Sequence, residues 1–573
     1  MSEPAEQTST LPDSTMASVS EHPALSDLTL SEMFEQAARH GGELSIGSMD
    51  GSLETRPFSA LHEEAAGIAG ALIASGIAPG TRIAVWATST LDFLVSCLSI
   101  WSAGAVVVPV PVAPLGRGSS DLTPLFRSTG TGIAIHYTGA APYPKHVETL
   151  DLEALRAGSV ARLADVSAAD AALIQMTSGS TSSPRPVILA HRALTAQVEL
   201  SNRGVTHFEP GRDRFFSWLP LYHDLGFVAY LIRPLALGIS LDLIPTKRFL
   251  ERPLSWLAGV SDRRATATAG PNFAFGLAAR SLERADARSL DELDLSSLRH
   301  CSSGGEVLEE RTIQRFIRAA TPFGFDADAF TVGYGLAEAT CIVSVGRGLE
   351  VDRISRQRLS EGLAEPSEAH SGVSAIVSSG RPLPGIEISI RDEIGEPVPD
   401  RTVGHVWVSG PTLMHGYVVE GRVDAAPVED GWVHTGDAGY LAGGELFITG
   451  RIKDVVIIRG RNFYAEDVER VMQRVPGVRP GSSVAVARKR GGSEEIVLIG
   501  ETRLSDEPER ASCRRQISNE VRRETGVTPS EVILVPPGTV PKTTSGKLRR
   551  SEVREMLERG VLVDLATTGR SLG

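Results

Sequence analysis

Helical and extended patterns alternate along this sequence, and the alternation limits its fold more than any other feature. The run AVVVPV at 105–110 is apolar throughout, as expected for a strand that is buried on both faces of a sheet. A strand-like run from Arg82 to Ala87 and a helical stretch from about Thr90 come before it. This order predicts an α/β fold in which helices cover both faces of a sheet.

Local signals predict ordered structure after a polar beginning. Residues 1–27 are rich in Ser, Thr, Pro and acidic side chains without periodicity, which predicts a flexible leader. Thr29 and Glu32 then have the spacing of a capping box, and the apolar residues after them fall on one helical face. Near the other end, residues 444–472 read as strand, turn, strand, turn and helix. We expect a smaller α+β unit to begin there.

Size and cysteine usage limit the class of protein. A chain of 573 residues with 42% hydrophobic content predicts two or more globular domains. No apolar run of about eighteen residues occurs, and the first 38 residues contain no Lys or Arg. Both features argue against a membrane-spanning helix and a signal peptide, so a cytoplasmic protein is expected. The cysteines are far apart in the sequence, which predicts core residues rather than a disulfide framework or a zinc site: Cys97, Cys301, Cys341 and Cys513.

Charge is unevenly distributed along the chain. The formal net charge is -13, which disfavours a nucleic-acid reader, since such a protein shows a concentrated basic face. Residues 454–573 contain 21 Lys or Arg and 17 Asp or Glu, so the first 453 residues sum to -17. The basic part is therefore the C-terminal unit.

The segment MTSGSTSSPRPV at 176–187 concentrates small hydroxyl side chains between two apolar runs. Small residues let an anion approach main-chain N–H groups, so the segment is a candidate phosphate loop. It is not a Walker A loop, and the nearest match to that pattern, PKTTSGKLRR at 541–550, has Pro541 where the first Gly should be. Composition alone also fits a solvated Ser/Thr linker.

Two further segments offer groups suited to a nucleotide and its metal. In TVGYGLAEAT at 331–340, the ring of Tyr334 suits stacking on a base and the carboxylate of Glu338 suits magnesium. In GWVHTGDAGYL at 431–441, Asp437 is predicted in a glycine-flanked turn, where a carboxylate can accept hydrogen bonds from a vicinal diol such as ribose. Each segment alone also fits an ordinary strand end or turn.

Two basic segments follow at the change from acidic body to basic tail. GRIKD at 450–454 places Arg451 and Lys453 between two strand-like runs, and PKTTSGKLRR carries Lys547 in a Gly-containing loop. Such cations can meet phosphate, although charge runs are commonly solvated surface.

Taken in this order, the segments resemble the adenylate-forming superfamily of acyl ligases, nonribosomal adenylation domains and luciferases. TSGSTSSPRPV resembles the phosphate loop of that family, GYGLAEAT its adenine and magnesium segment, HTGDAGYL its ribose segment, GRIKD its hinge and PKTTSGK its catalytic-lysine loop. The likeness spans nearly all of residues 28–560. WLPLYHDLGF, GPNFAFGLAAR and the stretch of about forty residues between Thr340 and Gly380 look most like fatty acyl-AMP ligases, which such an insertion separates from acyl-CoA synthetases.

The resemblance implies a division of the chain into a large body and a mobile lid. The lid would rotate about Lys453 between two half-reactions. The implied parts are a body of doubly covered sheets at 28–449 with an insertion at about 346–377, a hinge at 450–453, a smaller α+β lid domain at 454–565 and a flexible tail at 566–573.

The resemblance also implies a reaction. ATP, with Mg²⁺, would convert a carboxylic acid into an acyl-adenylate and pyrophosphate, and the acyl group would pass to a phosphopantetheine thiol. In fatty acyl-AMP ligases that thiol belongs to a separate acyl carrier protein, and in the synthetases it belongs to coenzyme A. An acyl- or aryl-CoA ligase, an enzyme with an unusual nucleophile and a nucleotide-binding scaffold without turnover stay as alternatives, the last disfavoured because the catalytic-lysine, ribose, hinge and metal positions are all retained.

The implied site residues follow from the matched motifs. Lys547 would bridge the carboxylate and the α-phosphate, and Glu338 would hold the metal. His223 would separate the acyl pocket from the phosphates, although a His beside Asp and Tyr is as often a hydrogen-bonded core residue. The implied acyl pocket, mostly bulky and apolar, consists of Trp218, Phe227, Asn272, Phe273 and Phe275. The implied ATP-binding residues are Thr177, Ser178, Gly179, Ser180, Thr181, Arg185, Gly304, Gly305, Glu306, Tyr334, Gly335, Asp437 and Arg451.

The phosphate loop departs from the commonest signature of the family. Ser182, Arg185 and Pro186 stand where that signature has Gly, Lys and Gly. Arg keeps the charge but changes its geometry, and Pro removes one backbone donor. The affinity for ATP is therefore expected to differ.

Overall fold

The computed structural model describes residues 27–111, 122–138, 141–158, 164–177, 185–204, 206–369, 371–425, 428–458, 461–490, 493–542 and 548–562. The predicted leader and tail lie outside these ranges, apart from Asp27. Within them, no helix has the length and apolar character needed to cross a lipid bilayer.

Helices and strands alternate through the body, as the sequence predicts. Its helices are α1 (Leu30–Ala38), α2 (Phe58–Ala74), α3 (Leu91–Ser102), α4 (Thr123–Thr129), α5 (Leu152–Arg156), α6 (His191–Gly204), α7 (Arg233–Ala236), α8 (Thr246–Glu251), α9 (Leu254–Asp262), α10 (Asn272–Arg284), α11 (Glu310–Ala320) and α12 (Arg356–Ser360). A π-helical segment, Leu225–Ile232, leads into α7.

The first strands of the body are β1 (Glu43–Gly47), β2 (Leu53–Pro57), β3 (Arg82–Trp86), β4 (Val106–Val110), β5 (Ile133–His136), β6 (Glu148–Asp151), β7 (Ala171–Met176), β8 (Pro186–Ala190), β9 (Arg214–Ser217), β10 (Ser240–Leu243), β11 (Ala267–Ala269) and β12 (His300–Gly304). They are followed by β13 (Phe330–Tyr334), β14 (Ser344–Arg347), β15 (Val351–Ser355), β16 (Val373–Val377), β17 (Arg381–Pro382), β18 (Glu387–Arg391), β19 (Gly404–Ser409), β20 (Gly416–Val419), β21 (Arg422–Ala425), β22 (Val428–Glu429), β23 (Trp432–Ala442) and β24 (Glu445–Arg451).

Two large sheets, as far as the described residues show, form the centre of the body. One has the strand order β17-β14-β13-β12-β11-β9-β10-β1-β2 and the other β21-β20-β8-β7-β4-β3-β5-β6. The central strands of both sheets and the edge strand β6 pair in parallel. Antiparallel pairing joins β2 to β1, links β13, β14 and β17 in one sheet, and links β7, β8, β20 and β21 in the other. All five residues of β4 are buried, and α2 and α3 pack together over the sheets. The α/β expectation is therefore confirmed.

Short-range signals correctly placed the first helix. Thr29 caps α1 through the predicted capping box with Glu32, and the buried face of α1 consists of apolar residues. Thr90 caps α3 by accepting a hydrogen bond from the backbone N–H of Phe93 at 3.3 Å. The four cysteines are buried and unpaired, as expected of core residues.

A third sheet and the predicted insertion complete the body. The third sheet contains β18, β19, β22, β23 and β24. The insertion forms the antiparallel pair β15 and β16 with α12 between them. Its Leu359 joins the same apolar cluster as Tyr464, which comes after the hinge.

The smaller C-terminal domain, called the lid here, has one strand more than the sequence pattern predicts. After a 3₁₀ turn at Ile452–Asp454 come β25 (Val455–Ile458), β26 (Arg461–Tyr464), α13 (Ala465–Gln473), β27 (Val478–Arg490), β28 (Ser493–Thr502), α14 (Glu507–Thr525), β29 (Glu531–Val535) and α15 (Arg550–Glu558). The segment read as a turn and the start of a helix contains β26, which pairs antiparallel with β25. A hairpin satisfies backbone groups that a simple turn would leave exposed.

Candidate active site

The candidate phosphate loop connects two neighbouring antiparallel strands, β7 and β8. The backbone N–H of Thr177 donates to the carbonyl of Arg185 at 3.0 Å, and the N–H of Arg185 donates to the hydroxyl of Thr177 at 3.1 Å. These two bonds close the base of the loop between the ends of β7 and β8. The other predicted loop residues lie outside the described residues: Ser178, Gly179, Ser180, Thr181 and Ser182.

Glu338 lies in a tight reversal of the chain after β13. It is the central residue of a 3₁₀ turn, Ala337–Ala339, and Thr340 follows with φ 68° and ψ −58°. The N–H of Cys341 donates to the carbonyl of Ala339 at 2.8 Å, which makes Thr340 the centre of a strained γ-turn. The Thr340 hydroxyl stabilises the turn by donating to the carbonyl of Thr412 at 2.6 Å.

Gly335 lies at the closest approach of this reversal. A Cβ atom at Gly335 would lie 1.5 Å from the carbonyl oxygen of Cys341. Any side chain there would push the segment apart, so glycine at this position keeps Tyr334 and Glu338 on the same short turn.

Asp437 contacts two residues that the resemblance assigns to ATP binding, Tyr334 and Arg451. The hydroxyl of Tyr334 donates to Asp437 Oδ2 at 2.6 Å, and Arg451 Nε lies 2.7 Å from Asp437 Oδ1. Burial and the Asp437 charge raise the pKa of Tyr334 far above its usual value, so the phenol remains a donor. The charge of Asp437 also raises the pKa of Arg451.

The predicted turn around Asp437 is wrong. Asp437 lies inside β23, where the pairing with β24 shifts register between Ala438 and Gly439. Gly436, with φ 77°, provides the local bend that the glycine-flanked pattern suggested. A bulged strand, rather than a turn, therefore points the carboxylate towards Tyr334.

The end of β12 lies beside the end of β13 and links the nucleotide side to the acyl side. Gly304 pairs with Gly333, and a Cβ at Gly304 would lie 2.6 Å from the Gly333 carbonyl oxygen. Gly305 has φ 80°, a conformation that favours glycine. Glu306 Oε1 then accepts a hydrogen bond from the backbone N–H of Phe273 at 3.1 Å.

The predicted acyl-pocket residues separate into two groups. Asn272 and Phe273 lie at the start of α10 near Glu306, and Asn272 accepts a hydrogen bond from the N–H of Glu309. Trp218 contacts Phe273 with ring centroids 6.3 Å apart and is itself buried against Phe249 and Trp256. Phe227 instead packs on Phe93 and Trp101. Phe275 lies among Trp256, Phe316 and Phe330, and both side chains are fully buried core residues.

His223 has features of both roles considered from its sequence, a wall of the site and a hydrogen-bonded core residue. Its Nδ1 hydrogen-bonds to Asp224 Oδ1 at 2.9 Å. Its other nitrogen, Nε2, is buried and has no hydrogen-bond partner among the described residues. A buried polar atom without a partner is costly unless a ligand satisfies it, which is compatible with a site wall.

The lid is docked on the body near these groups. Arg474 Nη2 lies 3.6 Å from Glu309 Oε1. Lys542, at the start of the catalytic-lysine loop, has a pKa lowered by burial, and Glu306 of the body is among the charges that act on it. An isolated bridge between Lys542 and Leu548 closes the base of the loop. Lys547 itself lies outside the described residues.

The predicted hinge motif contacts the other end of the same segment. Lys453 lies in the 3₁₀ turn between β24 and β25, and partial burial lowers its pKa. The next residue, Asp454, is buried, and its Oδ2 accepts a hydrogen bond from Arg550 Nη1 at 3.2 Å. Arg550 also pairs with Glu466 and Glu469 of α13. The hinge and the loop therefore share one buried charge cluster.

Comparison with known proteins assigns this geometry to a family. A family model described as AMP-binding enzyme matches residues 33–418. The chain belongs to the AMP-binding enzyme family. The long-chain-fatty-acid–AMP ligase FadD26 of Mycobacterium marinum is 32% identical to this AMP-binding enzyme, over 90% of this chain and 95% of that protein.

Solved structures agree. One from a study of fatty acyl-adenylate ligases of E. coli and L. pneumophila has a TM-score of 0.85 at 33% identity, over 93% of this chain and 98% of the other. A fatty acyl-adenylate ligase of L. pneumophila in complex with acyl adenylate and pyrophosphate has a TM-score of 0.69 at 26% identity, over 92% and 96% of the two chains. This AMP-binding enzyme is thus an ATP-dependent ligase that activates a carboxylic acid as its acyl-adenylate.

The structure adds a residue that sequence reasoning missed. Tyr417 of β20 donates a hydrogen bond from its hydroxyl to Glu338 Oε1 at 3.0 Å, and its ring lies 4.5 Å from the guanidinium carbon of Arg185. In the sequence, Tyr417 is one aromatic residue in an ordinary strand pattern, GYVV. Only the pairing of β20 with β8 reveals its position.

Proposed function

We propose that this enzyme uses ATP and Mg²⁺ to activate a fatty acid and then transfers the acyl group to the phosphopantetheine thiol of a separate acyl carrier protein. The proposal adds a substrate, a metal and an acceptor to the acid activation that the family establishes. The observation that most supports the proposal is the packing of the insertion against the lid.

In the first half-reaction, a carboxylate oxygen of the acid attacks the α-phosphorus of ATP. The new oxygen–phosphorus bond forms while the bond to the bridging oxygen of the β-phosphate breaks, and pyrophosphate leaves with that electron pair. Little covalent help is needed from the protein, because positioning and charge neutralisation lower the barrier. Lys547 would place its ammonium group between the two anionic reactants.

The nucleoside would be held by groups that the structure brings together. The ribose diol would bind at Asp437 beside Arg451, which are already 2.7 Å apart. Tyr334 and the glycines at the end of β12 would line the adenine, and the Ser/Thr loop, closed at Thr177 and Arg185, would bind the phosphates.

The residues present fit magnesium in the way that ATP-dependent enzymes use it. Among the described residues no group of three or more His, Cys, Asp or Glu side chains forms an all-protein metal site. Mg²⁺ commonly takes one or two carboxylates together with substrate phosphates and water. Glu338 accepts one hydrogen bond at Oε1, which leaves Oε2 for the ion. When bound, the metal neutralises charge on the phosphates.

The acceptor is inferred from the insertion. Leu359 of α12 and Ile354 of β15 belong to one apolar cluster with Tyr464 of the lid, and Arg356 lies beside Asp467 of α13 in the same seam. By resemblance, an insertion at this place distinguishes fatty acyl-AMP ligases from acyl-CoA synthetases. The apolar character of Trp218 and Phe273 supports an aliphatic or aromatic acid.

A panel of carboxylic acids tests the proposal. Hydroxylamine trapping of the adenylate, with pyrophosphate release measured in parallel, identifies the acid, and mass spectrometry then follows transfer to coenzyme A or to a holo-carrier protein. We expect medium- or long-chain acids to be adenylated and the carrier to be acylated. Rapid formation of the CoA thioester would contradict a carrier protein as the acceptor. Failure to adenylate any fatty acid in the panel would contradict a fatty acid as the substrate.

The Lys547→Met variant tests the catalytic role. Because Lys547 would act on charge that develops in the transition state, adenylate formation should fall about 100-fold or more. Lys145→Met, which removes an exposed lysine, should keep the parent's rate. A Lys547→Met enzyme that forms the adenylate as fast as the parent contradicts the proposed mechanism.

A further inference from the structure

Tyr417 lies between two charged groups that the sequence placed far apart. β20 pairs antiparallel with β8, and Tyr417 lies opposite Val187. This pairing brings the ring of Tyr417 under the guanidinium group of Arg185, 4.5 Å from its centroid. A cation over an aromatic face is attracted by the ring, so the ring supports Arg185 at the end of the phosphate loop.

The other end of Tyr417 contacts the carboxylate assigned to the metal. Its hydroxyl donates to Glu338 Oε1 at 3.0 Å. A phenolic hydroxyl is a donor and a carboxylate oxygen is an acceptor, so this hydrogen bond runs from Tyr417 to Glu338.

The segment that carries Tyr417 is fixed to the Glu338 turn independently of the side chain. The backbone N–H of Met414 donates to the carbonyl of Glu338 at 2.9 Å, and the hydroxyl of Thr340 donates to the carbonyl of Thr412 at 2.6 Å. Loss of the Tyr417 hydroxyl therefore need not move the backbone, and its effect on Glu338 can be measured separately from folding.

The ring also keeps two opposite charges apart. Arg185 and Glu338 both contact Tyr417, and among the described residues the two do not form an ion pair with each other. Direct pairing would neutralise the cation and occupy the carboxylate that a nucleotide and its metal require. Tyr417 instead contacts Glu338 at one carboxylate oxygen through its hydroxyl and contacts Arg185 through its ring.

We propose that Tyr417 is a positioning residue for the metal–triphosphate complex. Its hydroxyl fixes the Glu338 carboxylate so that Oε2 is presented to Mg²⁺, and its ring holds Arg185 for the phosphates. This inference rests on the metal and phosphate roles proposed above for Glu338 and Arg185. It does not depend on which acid is activated or which thiol accepts the acyl group.

Two substitutions separate the functions of the hydroxyl and the ring. Tyr417→Phe removes the hydrogen bond to Glu338 and keeps the ring under Arg185, whereas Tyr417→Leu removes both. Tyr440→Phe is the matched control, because the Tyr440 hydroxyl donates to a carboxylate oxygen of Asp352 at 2.8 Å away from the nucleotide groups. Thermal unfolding of each variant reports the structural cost.

The decisive measurement is ATP binding without acid or carrier, by titration calorimetry over a range of Mg²⁺ concentrations. Mg²⁺ is expected to strengthen ATP binding, and in Tyr417→Phe the Mg²⁺ concentration that gives half of this effect should rise about 5- to 10-fold. The affinity for ATP without metal should be unchanged. Tyr417→Leu should also weaken metal-free binding, since Arg185 loses its support. Tyr440→Phe should match the parent in both.

A Tyr417→Phe enzyme with the parent's Mg²⁺ dependence overturns the proposal, as does a parent whose ATP affinity is insensitive to Mg²⁺. A fall in unfolding temperature without a change in Mg²⁺ dependence shows a packing role only and also overturns it. An enzyme that passes this test but acylates no carrier contradicts the proposed acceptor and leaves the role of Tyr417 standing.

Discussion

The buried ring of His300 makes the body sensitive to acid. It lies in β12 with 4% of its surface exposed, and burial together with the nearby cations Arg233 and Arg347 lowers its pKa to about 3. In the unfolded chain a histidine titrates near 6.5. Below that pH the histidine of the unfolded chain becomes protonated, whereas His300 of the folded protein stays neutral until the pH approaches 3. The stability that neutral His300 contributes is thus complete above about pH 6.5 and is lost as the pH falls towards 3.

The variant His300→Gln should be less sensitive to acid. At pH 5 the proton uptake by unfolded His300 costs about 2 kcal/mol of stability, and the variant removes this cost. Thermal unfolding at pH 7.5 and pH 5 should therefore show a smaller decrease for His300→Gln than for the parent. His40→Gln, at an exposed position, should behave like the parent. Equal pH dependence in all three proteins would exclude His300 as the sensitive group.

At the scale of single elements, the sequence predicted what local patterns encode. The capping box of α1 and the continuous apolar run of β4 depend on neighbours in the sequence, and both were predicted correctly. The pairing of β20 with β8 joins residues more than two hundred positions apart. No periodic pattern in the sequence predicts such a pairing. Tyr417 was missed for this reason, and Asp437 was placed in a turn because glycines flank a bulged strand as well as a loop.

Arg550 fixes the position of α15 relative to the hinge. Its guanidinium donates to both oxygens of Glu469, at 2.8 and 2.7 Å, and contacts Asp454 and Glu466. Burial raises the pKa of Glu466 to about 7. Three carboxylates thus depend on one cation that lies three residues after Lys547.

Arg550→Met should destabilise the lid by about 3–5 kcal/mol, because it leaves buried carboxylates without a cation to pair with. We expect a lower first unfolding transition in calorimetry and loss of adenylate formation. Since Glu466 has a raised pKa, its burial costs least when it is protonated, so the variant should regain stability as the pH falls from 8 to 6. Arg559→Met, at the exposed end of the same helix, provides the comparison. Normal unfolding of Arg550→Met would show that the cluster contributes little.

For the whole molecule, the sequence predicted a large body followed by a smaller C-terminal domain, and the structure has both. The motif GRIKD, the predicted hinge, contains a 3₁₀ turn at Ile452–Asp454. The seam between the insertion and the lid was not predictable, because it joins Leu359 to Tyr464 across the hinge. Such contacts depend on how two folded units meet, and no local pattern in either unit specifies the match.

Leu359 offers a test of how firmly the lid is docked. It is 2% exposed, so Leu359→Ala leaves a cavity in the seam that costs about 2–5 kcal/mol. Looser docking should expose the hinge, where trypsin can cut after Arg451 and Lys453. We expect cleavage there to be several times faster in limited digestion read by mass spectrometry. Leu359→Met, which keeps the volume, should be cut at the parent's rate, and an unchanged rate for Leu359→Ala would mean that other contacts hold the lid.

The carboxylate of Asp437 has a consequence for the energetics of the enzyme. Both of its oxygens already have partners in this arrangement, the Tyr334 hydroxyl and Arg451 Nε. If ribose binds there, as proposed, its hydroxyls exchange one partner of the carboxylate for another instead of filling a vacant position, so that contact would release little heat. The ribose contact would then serve to select the nucleotide, and most of the binding free energy would come from the triphosphate.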